Sequence, residues 1–154
     1  MSKRTVLVIE DGTEYIEAFR RLALPDSAIA LLPAGNAAAA RQLLSERRAD
    51  ALFLDVVFDR TPVEDLAGDL EQVALRFCGD RDAALDHMAH NQGFYIADAL
   101  APLLSPGVLV LLAHDFSSEP ARLAALREKL PGLEGITGTM SVSEILKKLA
   151  GEGS

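Results

Sequence analysis

The chain has no tryptophan, and aromatic residues make up only 5% of its 154 residues. That scarcity removes the stacking platform on which single-stranded nucleic acid is usually held. Cysteine occurs once, as Cys78. One thiol cannot build an intrachain disulfide framework or a multi-cysteine zinc site, and it suits a reducing compartment, so a cytoplasmic location is expected. Basic residues are also short. Fifteen Lys and Arg stand against 23 Asp and Glu, a net charge of −8 with a pI near 4.8. A nucleic-acid backbone needs clustered cations, so nucleic acid is not an expected partner. Long apolar runs are missing too. The stretch 99–113 is broken by Ser105, Pro106 and Gly107 and is too short to cross a bilayer, so no membrane partner is expected. The apolar run after the basic start MSKR is too short for a signal peptide. No internal repeat is visible.

What is present is enough for one core. Apolar residues form 49% of the chain, with Ala and Leu filling in for aromatics. A single domain is expected over residues 1–150, with GEGS at 151–154 as a polar tail. Residues 6–9 (VLVI) form a continuous apolar run, the pattern of a strand buried on both faces. Ile16, Phe19, Leu22 and Ala23 then fall on one face of a helix over 13–24, which Pro25-Asp26 breaks. Residues 28–32 read as a second strand, and Asn36 as the cap of an Ala-rich helix to about Arg48. Residues 51–57 (ALFLDVV) read as a third strand with one intruder, Asp55.

Thr61-Pro62-Val63-Glu64 has the form of a capping box with Pro at the first helical position, before a stripe of Leu66, Leu70, Val73 and Phe77. Helices are expected over 80–90 and 91–104, a fourth strand over 107–113 and a helix over 118–130. A weak fifth strand at 133–138 precedes a last helix at 141–150, whose Ser141 and Glu144 form a second capping box. Strands and helices alternate, which predicts a parallel sheet with helices on both faces and a crevice at the strands' carboxyl ends.

Glu10-Asp11, Asp55 and His114-Asp115 all fall at predicted strand ends, so one crevice can gather them. DGT at 11–13 has the look of the D-x-D-G-T motif of haloacid-dehalogenase phosphatases, but the nucleophile position holds Ile9, which cannot attack phosphorus. Three neighbouring carboxylates raise each other's pKa, and a hard divalent cation such as Mg²⁺ relieves the repulsion. A local explanation competes: Glu10 and Asp11 stand at a helix N-terminus, where negative charge is favourable, and Asp55 is a solvated strand end.

VLVIED, ADALFLD, NQGFYIADAL and GVLVLLAH together resemble the receiver (CheY-like) domain of bacterial response regulators, over most of the chain. The resemblance implies a flavodoxin-like, doubly wound five-stranded sheet of order 2-1-3-4-5. It implies Asp55 as phosphoacceptor, with Glu10, Asp11, Asp55 and the Val57 carbonyl around Mg²⁺. It also exposes three departures. Leu112 stands where receivers place a Thr or Ser, Thr139 where they place a Lys, and Ile136 where they place the aromatic that moves with the hydroxyl. No Lys lies between Leu130 and Lys147. Arg60 and His114 are candidate substitutes at the pocket rim.

Residues 60–90 have no counterpart in a plain receiver and read as a helical insertion at the lip of the pocket. Its apolar stripe is expected to be core and its acids a solvated face; the alternatives are a lid or a docking surface. His87 and His90 have a chelating spacing with Asp86 or Cys78 nearby, although surface histidines are far commoner than ligands. Cys78 is expected to be buried. No Ser or Cys completes a dyad with His114.

The expectation is a non-enzymatic, receiver-like signalling protein of the two-component or phosphorelay type. It is read as a pseudo-receiver working through protein contacts around 118–130 and 135–149, as a monomer or weak homodimer, with no output domain after residue 150. One alternative is a conventional single-domain response regulator phosphorylated on Asp55 by a histidine kinase. The other is a Mg²⁺-dependent enzyme using the acidic crevice.

Overall fold

A computed structural model describes residues 3–23 and 29–151. Five parallel strands form one sheet in the order β2-β1-β3-β4-β5. They are β1 (Arg4–Ile9), β2 (Ile29–Ala34), β3 (Ala51–Leu54), β4 (Leu109–Leu112) and β5 (Leu133–Glu134). The expected order 2-1-3-4-5 is thus observed. Val6, Val8 and Ile9 are fully buried, as a two-sided central strand requires. Pro33 is tolerated in β2 because that strand lies at the sheet edge.

The two faces of the sheet are covered separately. On one, Val6, Val8, Phe53 and Leu111 pack with Ile16 and Phe19 of α1 (Glu14–Leu22) and Ile145 and Leu149 of α7 (Val142–Leu149). On the other, Leu7, Ile9, Leu52, Leu54 and Leu112 pack with α2 (Ala37–Glu46), α5 (Gln92–Leu100) and the inner side of α6 (Pro120–Lys129). Two expected caps are made. The Asn36 side chain accepts from the Ala39 N–H at 2.8 Å, and Ser141 with Glu144 forms the full capping box.

The other expected capping box is not made. Pro62 stays extended and leads only into a 3-10 turn, Val63–Asp65. The Thr61 hydroxyl is buried without a partner. The helix starts instead at α3 (Leu70–Leu75), where Asp69 accepts from the Glu71 and Gln72 N–H groups. Gly68, at φ +109°, makes the turn that separates the two. Asp80 caps α4 (Arg81–His90) in the same way, so two of the insertion's acids are caps. The stripe packs mainly as a satellite core rather than directly on the sheet: Val73, Ala74, Ala84 and Met88, flanked by Leu66, Leu70, Phe77 and Tyr95. Cys78 is exposed, not buried. It takes a left-handed φ of +55° after α3, a helix-terminating position where the side chain leaves the core. β3 ends at Leu54, so Asp55 follows the strand instead of interrupting it. β5 stops at Glu134, before the expected Gly138; beyond it only the Ile136 N–H continues toward β4, donating to the His114 carbonyl at 3.0 Å. The expected break at Pro25-Asp26, the start of the second strand at Ala28 and the end of the tail lie outside the described residues.

Candidate functional site

Strand register brings the acids together. Ile9 pairs with Leu54, so Glu10 and Asp55 leave the sheet on neighbouring strands. The Asp55 N–H donates to the Ile9 carbonyl at 2.9 Å, and the Ala113 N–H to the Leu54 carbonyl at 2.9 Å. α5 closes the side of the crevice. Gly93 donates its N–H to the Val56 carbonyl at 3.0 Å. A Cβ there would stand 2.4 Å from the Asp55 carbonyl oxygen, so this approach admits only glycine.

Each carboxylate has its own partners. Glu10 is 3% exposed, and its two oxygens cap α1 from outside the helix. Oε2 accepts from the Ile16 N–H at 2.8 Å and Oε1 from the Tyr15 N–H at 3.1 Å. Thr13, at the N-cap position, contributes no side-chain bond, and Glu10 takes that role. Asp11 Oδ2 accepts from the Arg60 N–H at 2.8 Å, while Oδ1 faces the Arg60 guanidinium at 3.6 Å. That guanidinium also forks onto Glu14 at 3.0 and 3.1 Å. It draws the exposed Glu14 carboxyl below its usual range. Asp55 Oδ1 accepts from the Val56 N–H at 2.9 Å. Burial pushes the Asp55 carboxyl up; the Val56 N–H opposes this, and the charges of Glu10, Asp11 and Glu14 add to the rise.

This arrangement does not fit a divalent cation. The donors are all oxygens, as Mg²⁺ prefers. But Glu10 is committed to α1 and Asp11 to Arg60, and no group of three His, Cys, Asp or Glu side chains converges to hold a metal among the described residues. Val57 follows Asp55 on the exposed surface.

The other expected positions are scattered. Leu112 is fully buried in the core, paired with Leu54. Thr139 is exposed, and its hydroxyl lies 3.3 Å from that of Thr137. Ile136 is partly buried against the α1–α7 side of the core. His114 contacts Glu119 at 2.6 Å and stands edge-on to the Phe94 and Phe116 rings. Arg122 lies 3.8 Å over the Phe94 ring. His114 is therefore a packing and pairing residue beside α6. His87 packs against Phe77 and Tyr95, and His90 pairs with Asp86, so the two histidines have separate partners.

Two contributors carry no motif in the sequence. Gln92 is 1% exposed and ties the insertion to α5. Its amide nitrogen donates to the carbonyls of Ala67 and Met88, and its oxygen accepts from the Ala67 N–H. Glu14 is the second. Its only signal is its place in the first helical turn, which does not foretell a partner 46 residues away.

No protein-family profile matches the sequence, and no curated protein matches it. Solved structures do. The receiver domain of the Francisella response regulator 1452 is 14% identical, with a TM-score of 0.56 over 96% of this chain and 93% of that one. The signal receiver domain of the putative response regulator NarL from Mycobacterium tuberculosis is 20% identical, with a TM-score of 0.57 over 97% and 94%. Vibrio cholerae chemotaxis protein CheY4 is 14% identical, with a TM-score of 0.56 over 96% and 97%. The fold is that of response-regulator receiver domains.

Proposed function

We propose that this chain is an atypical receiver of the two-component type that acts through protein contacts and not through a phosphorylation-driven hydroxyl relay. Leu112 carries the reading. At the position where the resemblance puts the switch hydroxyl, this side chain is apolar and fully buried, and Ala113, which the strand register sets beside Asp55, has no hydroxyl either. Neither side chain can hydrogen-bond a phosphoryl group, so the two-state element that such a bond would bias is missing. Thr139 adds to this, since a neutral, exposed hydroxyl stands in place of the ammonium. The contact surface proposed is the region of α6, β5 and α7. A groove of about 460 Å³ lies there, lined by Phe116, Leu123, Arg127, Glu134 and Ile136 among others.

The reading is tested by incubating the full chain with acetyl phosphate and Mg²⁺ and measuring intact mass. The expected result is no phosphoryl adduct. A stoichiometric adduct that disappears in Asp55→Asn would establish the conventional receiver instead.

A further inference from the structure

We propose that Arg60 is the resident counter-ion of the acidic pocket, so that a guanidinium of the chain itself, and not a divalent cation, neutralises Asp11. This concerns cation occupancy alone and stands whether or not Asp55 accepts a phosphoryl group.

Arg60 is attached to the pocket three ways. Its backbone N–H donates to Asp11 Oδ2 at 2.8 Å. Its guanidinium faces Asp11 Oδ1 at 3.6 Å. The same guanidinium grips both oxygens of Glu14, at 3.0 and 3.1 Å, in the fork geometry that arginine favours. The Asp11 side chain is left only 4% exposed, while that of Arg60 is 58% exposed. The guanidinium thus lies over the carboxylate as a cover. Gly12 makes room for it: a Cβ at that position would stand 2.5 Å from Arg60 Nη2 and 2.4 Å from Glu14 Oε2.

The competition with a metal follows from elementary terms. Mg²⁺ gives up its waters reluctantly and needs carboxylate oxygens free to reach it. The guanidinium is permanently charged, weakly hydrated and already tethered by its own backbone, so it loses little on settling. A cation arriving at Asp11 must displace Arg60 or sit beside it, and like charges repel. Glu10 is held in place at the start of α1, each of its oxygens already accepting one N–H, so it is not free to swing toward a cation at Asp11.

The test is a Mg²⁺ titration of the full chain, followed through the amide resonances of Gly12 and Glu14 at fixed ionic strength. Arg60→Gln removes the guanidinium at an exposed position. Arg81→Gln removes an equally exposed arginine that pairs with Glu71 in the insertion, and controls for net charge. Arg60→Gln is expected to bind Mg²⁺ at least about tenfold more tightly than the unaltered chain, the effect of removing one positive charge beside a divalent ion in a partly screened site. Arg81→Gln is expected to leave the affinity unchanged. A gain of less than tenfold in Arg60→Gln, or an equal gain in Arg81→Gln, overturns the proposal. Acetyl phosphate is absent from the titration, so its outcome is separate from that of the phosphorylation experiment.

Discussion

Replacing Glu10 by alanine removes a helix cap, and the loss should appear with no metal present. Two N–H groups at the start of α1, those of Tyr15 and Ile16, donate to this one carboxylate. The Ile16 bond is buried, and Thr13 offers no side-chain substitute. A hydrogen bond to a charged group contributes roughly 1.5–3 kcal/mol, and donors left unpaired in a buried site forfeit that contribution. The negative charge at the positive end of the helix adds about 0.3–1 kcal/mol. Glu10→Ala should therefore cost about 3–7 kcal/mol, a large share of the roughly 5–15 kcal/mol that holds a domain folded. Glu10→Gln keeps one acceptor oxygen and should cost about half as much. Urea unfolding followed by far-UV circular dichroism in EDTA measures both. With a slope of roughly 2 kcal/mol/M, the alanine midpoint should fall by about 1.5–3.5 M. A purely metal-ligating Glu10 predicts the opposite sign under EDTA, because removing one of several crowded acids relieves repulsion. An alanine variant within about 1 kcal/mol of the unaltered chain would refute the capping argument.

Three further outcomes follow from neighbouring residues. The Asp55 carboxyl is pushed up on folding, chiefly by burial, so the folded state holds its proton more tightly than the unfolded one. Its contribution to stability is therefore full below the ordinary carboxylate range and is lost as pH rises through the raised value. Asp55→Asn should gain stability over the unaltered chain as pH rises through that window, and a constant difference from pH 3 to 7 in urea midpoints would count against this (on the order of carboxylate pKa values). Gly93→Ala places a Cβ 2.4 Å from the Asp55 carbonyl oxygen and 2.9 Å from Val56 Cα, both backbone. It should lower stability by about 2–4 kcal/mol in the same assay, and a neutral result would mean that α5 can retreat from β3 without cost. Gln92→Ala frees the Ala67 peptide and should speed hydrogen exchange in the insertion at least about tenfold more than in β1, whereas equal acceleration everywhere would deny that Gln92 is a local tie.

The periodic features of the chain were readable because they depend on neighbours in sequence. The unbroken run Val6-Leu7-Val8-Ile9 needs only two apolar faces to become a central strand, and it has them. Asn36 and Ser141 cap their helices from adjacent positions, so their partners are fixed by the turn itself. The insertion was less legible. Thr61-Pro62-Val63-Glu64 satisfies a capping pattern, but Gly68 and Asp69 offer a better start seven residues later, and local pattern cannot rank the two. The acid pair divided in the same way. Negative charge at a helix N-terminus was the local explanation for Glu10, and Glu10 has that role. Asp11 depends on Arg60, 49 residues away, a contact that no local pattern encodes.

The charges at the pocket bear directly on the function proposed above. Glu10, Asp11 and Glu14 all raise the Asp55 carboxyl, and among the described residues Arg60 is the cation bonded into this group. That cation is already shared between Asp11 and Glu14. A phosphoryl group on Asp55 would carry more negative charge than the carboxylate it replaces, up to about −2. In a receiver the added charge meets a metal, an ammonium and a hydroxyl. On the reading proposed above, the hydroxyl position is Leu112, buried in the core, and the ammonium position is Thr139, neutral and exposed. Each unit of charge added near three carboxylates is opposed, and the opposition grows as water is excluded. On that reading, the balance that disfavours phosphorylation also gives two acids of the unmodified pocket partners within the chain. Glu10 starts α1, and Asp11 anchors the entry to the insertion through the Arg60 N–H. Glu10 and Asp11, which began as a reason to expect a ligand, thereby have partners within the fold itself.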